Sequence, residues 1–261
     1  MHNLSVPADQ ITTLISSTND KPPQDIPSPP NTLRPTRENI LNALYDLHDN
    51  PFIKSDDSII IFYAGHGQSY SESIDAISPV DRNTCKSNSE LIPDISDREL
   101  NVIIGEIAKK CSNITLILDC SHAGGATRGN FSPSFGDMEN LTPRTCFAIP
   151  SAIPRMLEAA DEEGRLSLDR TRTANPSFQA NMNSHVLIAA AKDYEQALEF
   201  TDKNTKVTQG FFTSRLLSAL RSPLGQSPTT TYLDLIRSAD LVMPFQTAFV
   251  AGRKTDRLWF S

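Results

Sequence analysis

Two short polar runs carry residue types that perform acyl transfer, and each follows directly on an apolar, β-branched run. The first is Gly65-His66-Gly67, after SIIIFYA (58–64). The second is Asp119-Cys120-Ser121-His122, after ITLIL (114–118), with Gly124 and Gly125 just beyond. Glycines on both sides leave an imidazole uncovered and let a substrate backbone come close. The plain alternative for His66 is a loop histidine in a turn. The second run weighs against it, because a thiol or hydroxyl on one strand-end turn, facing a histidine from another, is the layout of a nucleophile–base dyad. The backbone N–H groups of Gly67 and of residue 121 could then form an oxyanion hole.

Those turns need a scaffold that brings them to one place. The runs 58–64, 114–118 and 185–191 are apolar on both faces, which predicts strands in the middle of a sheet covered by helices. Thr36 is placed to cap a helix with Ile40, Leu41, Leu44 and Leu47 on one face. Residues 97–110 read as a second amphipathic helix capped by Ser96 or Asp97. FFTSRLLSAL (211–220) and TYLDLIRSA (231–239) read as helices, ITTLI (11–15) as a strand, and DRLWF (256–260) as a closing strand that includes Trp259. Residues 18–35 are proline-rich and read as a loop. Residues 126–184 show no clear period and read as a long, mobile connection. Alternating strands and helices predict an α/β domain with a mostly parallel sheet, whose site lies at the carboxyl ends of the strands.

Composition narrows the function classes. The chain has 261 residues, with 24 basic and 31 acidic residues and a net charge of −7. This argues against a nucleic-acid binder, which needs a basic face. No apolar run approaches a membrane span, and the start lacks the pattern of a signal peptide, so a cytoplasmic or nuclear location is expected. The four cysteines (Cys85, Cys111, Cys120, Cys146) show no paired spacing, which argues against structural zinc and a disulfide framework.

Taken in order, YAGHG (63–67), ISPVD (77–81), IPDISDREL (92–100), ILDCSHAGGATR (117–128), HVLIAAA (185–191), GFFTSRLLSAL (210–220) and DRLWF (256–260) resemble the caspase-like peptidases, fungal metacaspase type. The resemblance spans most of residues 36–261. It implies a single caspase-like domain over 1–261, a three-layer sandwich with a large part (1–128), a cleavable connection (129–184) and a small part (185–261). It implies a cysteine-type endopeptidase that cuts after Arg or Lys, often with calcium. On it, His66 matches the catalytic histidine, Gly67 the oxyanion-hole glycine, and Asp119 an acid that binds the substrate's basic side chain. A carboxylate suits a guanidinium.

Two departures qualify that expectation. The family pattern reads D-x-C-H-S-G, whereas this chain reads Asp119-Cys120-Ser121-His122-Ala123-Gly124, which puts Ser121 at the nucleophile position. Neighbouring side chains on a strand point opposite ways, so Cys120 is expected in the core and is the less favoured substitute nucleophile. A serine hydroxyl needs a well-placed base and an orienting group, so activity is expected to be weakened or lost. The chain also opens at the segment VPADQITTL (6–14), where relatives already have a strand and a helix; an N-terminally truncated sheet is expected.

Asp94, Asp97 and Glu99 fall where related chains carry a calcium-binding acidic cluster; helix capping by Asp97 is the favoured alternative. No cofactor is otherwise required. Arg128, Arg155, Arg165, Arg170 and Arg172 are either self-processing points or solvated loop charges. His122 and His185 read as structural. The leading function is a metacaspase-type endopeptidase homologue acting on peptides or proteins with basic residues. The alternative is a non-catalytic module that binds basic peptides or other caspase-like chains.

Overall fold

The computed structural model describes residues 6–16, 32–71, 74–85, 90–121, 138–144, 146–167, 173, 180–192, 195–238 and 246–253. After helix α1 (Arg37–Asp49) come strands β1 (Ser58–Ala64), β2 (Gly67–Ser71), β3 (Ile74–Ile77) and β4 (Ile95–Ser96). Helix α2 (Asp97–Ala108), β5 (Asn113–Asp119), β6 (Met138–Pro143), α3 (Ile153–Leu166) and β7 (Val186–Ala189) follow. The chain continues through β8 (Leu198–Asp202), β9 (Thr208–Gly210), α4 (Phe211–Arg221), α5 (Tyr232–Ile236) and β10 (Phe249–Gly252).

The central sheet has the order β1-β5-β7-β10, with β1, β5 and β7 parallel and β10 antiparallel. This is the mixed α/β architecture with a mainly parallel sheet that the apolar runs imply. The period of two along β5 sorts its side chains between two cores. Ile114, Leu116 and Leu118 pack with Leu44 of α1 and Leu100, Ile103, Ile104 and Ile107 of α2. Ile117 faces the other way, against Phe211, Phe212 and Leu216 of α4 and Tyr232 and Leu235 of α5. Thr115 on that face is satisfied by the Tyr232 hydroxyl, 2.6 Å away. Helices therefore cover β5 on both sides.

Helix starts follow local chemistry. The Thr36 hydroxyl accepts from the N–H of Asn39, and the Ser96 hydroxyl from that of Glu99, capping α1 and α2. Thr231 and Asp234 form a capping box at α5.

Two expectations need correction. ITTLI forms one bridge, Leu14 to Leu33, and no strand among the described residues. The connection 126–184 holds regular structure, namely β6 and the 14-residue helix α3. The buried stripe of α3 is Met156, Ala160 and Gly164. Its small residues disguise the helical period, because Ala and Gly add little apolar contrast to a stripe. Arg155 and Arg165 accordingly lie on a helix, paired with Glu90 and Glu162. The predicted closing strand 256–260, with Trp259, lies outside the described residues, as do His122, Gly124, Gly125, Arg128, Arg170 and Arg172. Among the described residues no helix is long and apolar enough to cross a membrane.

Candidate active site

Register places the two polar turns side by side. In the β1–β5 pair Ala64 stands opposite Asp119, and the Gly65 N–H continues the ladder to the Asp119 carbonyl at 3.2 Å. His66 and Ser121 thus leave the same edge of the sheet. The β5–β7 pair brings in a third strand end: Leu118 pairs with Ala189, and the Ala190 N–H donates to the Leu118 carbonyl.

His66 is exposed, and its backbone is held on both sides. The His66 carbonyl accepts from the Ser78 N–H (3.0 Å) and from the Tyr63 hydroxyl (2.7 Å). Among the described residues its imidazole makes no hydrogen bond. Gly67 must be glycine, because an added Cβ would strike the Ser121 carbonyl and crowd the Cys120 Sγ.

Ser121 is fully buried. Its Oγ accepts from the Ala197 N–H at 3.0 Å and donates to the Ala197 carbonyl at 3.3 Å. Both functions of the hydroxyl are thereby taken by one backbone residue, the turn before β8. Cys120 points into the core with α2. Burial, with Asp119 beside it, pushes its thiol well above the ordinary range. A thiol without solvent access that resists ionisation is a poor substitute nucleophile.

Asp119 has no exposed surface. Its Oδ2 accepts from the backbone N–H (3.1 Å) and hydroxyl of Thr213, in the first turn of α4. Gly210 lies so close that a Cβ there would overlap this oxygen. Burial raises the Asp119 carboxyl, opposed by the charge of Arg144 and by the Thr213 donors.

Arg144 is the residue that sequence reasoning missed. Its carbonyl oxygen accepts from the N–H of Ser121 at 3.1 Å and from the N–H of Gly67 at 3.4 Å. Its own N–H donates to the Ala197 carbonyl at 2.8 Å. Its guanidinium Nη1 donates to the Asp119 carbonyl at 3.1 Å and stands 3.6 Å from Asp119 Oδ2. Just upstream, β6 pairs antiparallel with β8, Thr142 opposite Glu199 and Pro143 opposite Leu198. The segment lies across the strand ends as an added strand. Proline suits it because β6 is an edge strand that can spare an N–H. The only hint in the sequence was an arginine within a polar connection, a pattern shared by five other arginines there. Two residues on, Cys146 Sγ sits 3.0 Å from the Ser78 hydroxyl, beside the β1 end.

The three acidic residues considered for calcium do not converge. Asp94 is buried and forms a two-pronged pair with Arg82 (2.6 and 2.8 Å). Glu99 is buried against Arg37 at 2.5 Å, tying α2 to α1. Asp97 is exposed in the first turn of α2. Among the described residues no group of three or more His, Cys, Asp or Glu side chains could hold a metal. His185 opens β7 and is buried.

Comparison with known proteins bears on the part of the chain that carries His66 and Ser121. Residues 8–128 match the family model described as metacaspase, peptidase C14 domain. The matched stretch contains His66, Gly67, Asp119 and Ser121, and ends before Arg144. It supports a caspase-like peptidase relationship for that part of the chain. A protein from Geobacter sulfurreducens with a solved crystal structure is similar at a TM-score of 0.48 and 15% identity, over 84% of this chain and 75% of that one. No curated protein sequence matches significantly.

Proposed function

We propose that the chain is a metacaspase-type endopeptidase homologue whose cleft takes an extended peptide and reads its basic side chain, Arg or Lys, at Asp119. Arg144 is the observation that carries this reading. Its carbonyl lies between the Gly67 and Ser121 N–H groups, its N–H is held by Ala197, and its guanidinium lies against Asp119. A scissile residue needs the same three things: polarisation of its carbonyl, alignment of its backbone, and recognition of its side chain. The resident segment satisfies them from within the chain.

In the reaction this supports, His66 takes the proton from the nucleophile as it attacks the peptide carbonyl. The oxyanion is held by the N–H groups of Gly67 and Ser121. Collapse expels the amine, which receives the proton from His66, and leaves an acyl-enzyme that water hydrolyses. Ser121 weakens the first step twice over. A hydroxyl is far less acidic than a thiol, and its proton and lone pair are already committed to Ala197. That same commitment favours a second reading: a non-catalytic module that holds basic peptides, or the basic segments of caspase-like chains, without cutting them. The reading assigns no step to calcium, because Asp94 and Glu99 are each held by an arginine.

The test is cleavage of arginine- and lysine-ended fluorogenic peptides by the natural chain, by His66→Ala, by Ser121→Cys and by Ser121→Cys/His66→Ala. Activity in Ser121→Cys that disappears with His66→Ala supports a peptidase scaffold with a weakened nucleophile. Activity in the natural chain that depends on His66 makes Ser121 a working nucleophile. If no variant cuts, the catalytic reading falls and the binding reading is the one that remains.

A further inference from the structure

We infer that the outer edge of β1 is an interface between two copies of this chain: β1 pairs antiparallel with β1 of a second copy about a twofold axis at Ile61, joining their central sheets into one continuous sheet. The inference concerns the edge of the central sheet and does not depend on the peptidase reading.

β1 stands at the end of the sheet order, with β5 on one side only. The Gly65 N–H donates to the Asp119 carbonyl, which fixes the direction of the backbone groups along the strand. Ile59, Ile61 and Tyr63 turn their N–H and C=O toward β5. Ile60 and Phe62 turn theirs to the outer side, where they meet no hydrogen-bond partner among the described residues. Such edges are ordinarily blunted by charge, proline or a bulge. The edge strand β6 carries Glu139, Pro143 and a shift in register. β1 reads Ser-Ile-Ile-Ile-Phe-Tyr-Ala, with none of these and an unbroken register to β5. Its side chains add an apolar face. Ile60 and Phe62 stand opposite Thr115 and Ile117 of β5, but the cover of α4 and α5 stops short of them, leaving Ile60 36% and Phe62 50% exposed.

The strand is complementary to itself. About a twofold axis at Ile61, antiparallel pairing sets Ile60 of one copy opposite Phe62 of the other, on both sides of the axis. These residues turn their backbone groups outward, so each such pair exchanges two hydrogen bonds. Their side chains meet on one face as aromatic–β-branched pairs, a favoured combination across strands. Charge selects the same arrangement. Asp56 and Asp57 precede β1 and His66 follows it, all three exposed. Antiparallel pairing brings the acidic turn of each copy to the His66 end of the other. Parallel pairing would set carboxylates against carboxylates. The twofold contact is also closed, because each copy uses its β1 edge once and neither leaves that edge open to a third chain. Two seven-residue strands bury on the order of 1,000 Å² in total, the low end for a specific interface. The dimer is therefore concentration-dependent rather than obligate.

The experiment is analytical sedimentation of the full natural chain over a concentration series, with hydrogen exchange of its backbone amides. A monomer–dimer equilibrium with a Kd of about 10 µM is expected. The amides of Ile60 and Phe62 are expected to exchange about tenfold more slowly as the dimer fills. Two variants test the register. Ile60→Lys/Phe62→Lys sets lysine against lysine across the axis and is expected to weaken the dimer about a hundredfold. Ile60→Glu/Phe62→Lys sets glutamate against lysine and is expected to dimerise about tenfold more tightly than the lysine pair. A natural chain that stays monomeric up to about 1 mM overturns the inference and leaves the edge to a strand of a different protein. A dimer whose Ile60 and Phe62 amides exchange as in the monomer overturns it too, by placing the contact on another face. Equal weakening by the two variants overturns the antiparallel register. Should either variant fail to unfold cooperatively, the natural chain decides: protection of the two amides that grows with concentration supports the interface, and its absence overturns it.

Discussion

The two strand ends that meet at the cleft are held in opposite ways. The β1 end presents His66 exposed, its carbonyl anchored by Ser78 and Tyr63 and its ring without a hydrogen bond among the described residues. The β5 end presents Asp119, Cys120 and Ser121 with no exposed surface at all, Asp119 tied to Thr213 of α4 and Ser121 to Ala197, just before β8. The same contrast extends along the strands. β5 is covered on both faces, whereas Ile60 and Phe62 of β1 remain exposed at 36% and 50%. The difference separates two requirements of acyl transfer. A base must be free to exchange protons, so an open strand end suits it. A recognition acid and an oxyanion hole must be held rigid and dry, so a closed one suits them. A nucleophile needs some of both, and Ser121 has only the second.

The contrast gives a graded set of expectations for stability. Asp119→Ala should cost the most, about 3–5 kcal/mol in denaturant unfolding, because it strands the buried Arg144 guanidinium and the Thr213 donors. A cost near that of an exposed substitution would show that the β5 end is open to water.

A pH experiment tests the closed side of the sheet at β7. Burial lowers His185 to about 4, from an ordinary value near 6.5. The unfolded chain takes up a proton there as pH falls through about 6.5, and the folded chain does not until about 4. The stability this group contributes is therefore present above pH 6.5 and lost as pH falls toward 4, by about 3 kcal/mol in all. His185→Asn should flatten that part of the stability–pH curve. A curve unchanged by His185→Asn would show that the β7 end is open to water.

Ser121→Ala is expected to cost about 1–3 kcal/mol, because the buried N–H of Ala197 loses its partner and its carbonyl keeps only the Arg144 N–H. His66→Ala should stay within about 0.5 kcal/mol, as an exposed side chain without a hydrogen bond among the described residues. Thermal unfolding of the two variants side by side checks this; equal losses would mean that His66 is as firmly built in as Ser121. The smallest expected effect is that of calcium. Adding it to the natural chain should leave the melting temperature unchanged, and a concentration-dependent rise would restore the acidic residues around α2 as a site.

Much of this was legible before any coordinates. Runs apolar on both faces located β1, β5 and β7, and capping chemistry at Thr36 and at Ser96 or Asp97 located α1 and α2. Both signals are local and do not depend on the rest of the chain. The polar turns after β1 and β5 made His66, Gly67 and Ser121 candidates for the same reason, while Asp119 became one through the family resemblance. The small buried residues of α3 concealed its period, and β6 has no alternating pattern at all. β6 is ordered by its hydrogen bonds to β8, and such a long-range pairing leaves no mark at the level of neighbouring residues.

The sequence by itself determined which residues could do chemistry and on which strand ends they stand, because β-branched runs and glycine turns are local properties. Only the tertiary structure decided what those residues face. The register of β5 against β1 and β7 put the Gly67 and Ser121 N–H groups on one oxygen, and the pairing of β6 with β8 made that oxygen the carbonyl of Arg144. Contacts between residues separated by 76 or 94 positions, such as Ser121 with Ala197 and Asp119 with Thr213, come from chain closure. No spacing within a single segment encodes them.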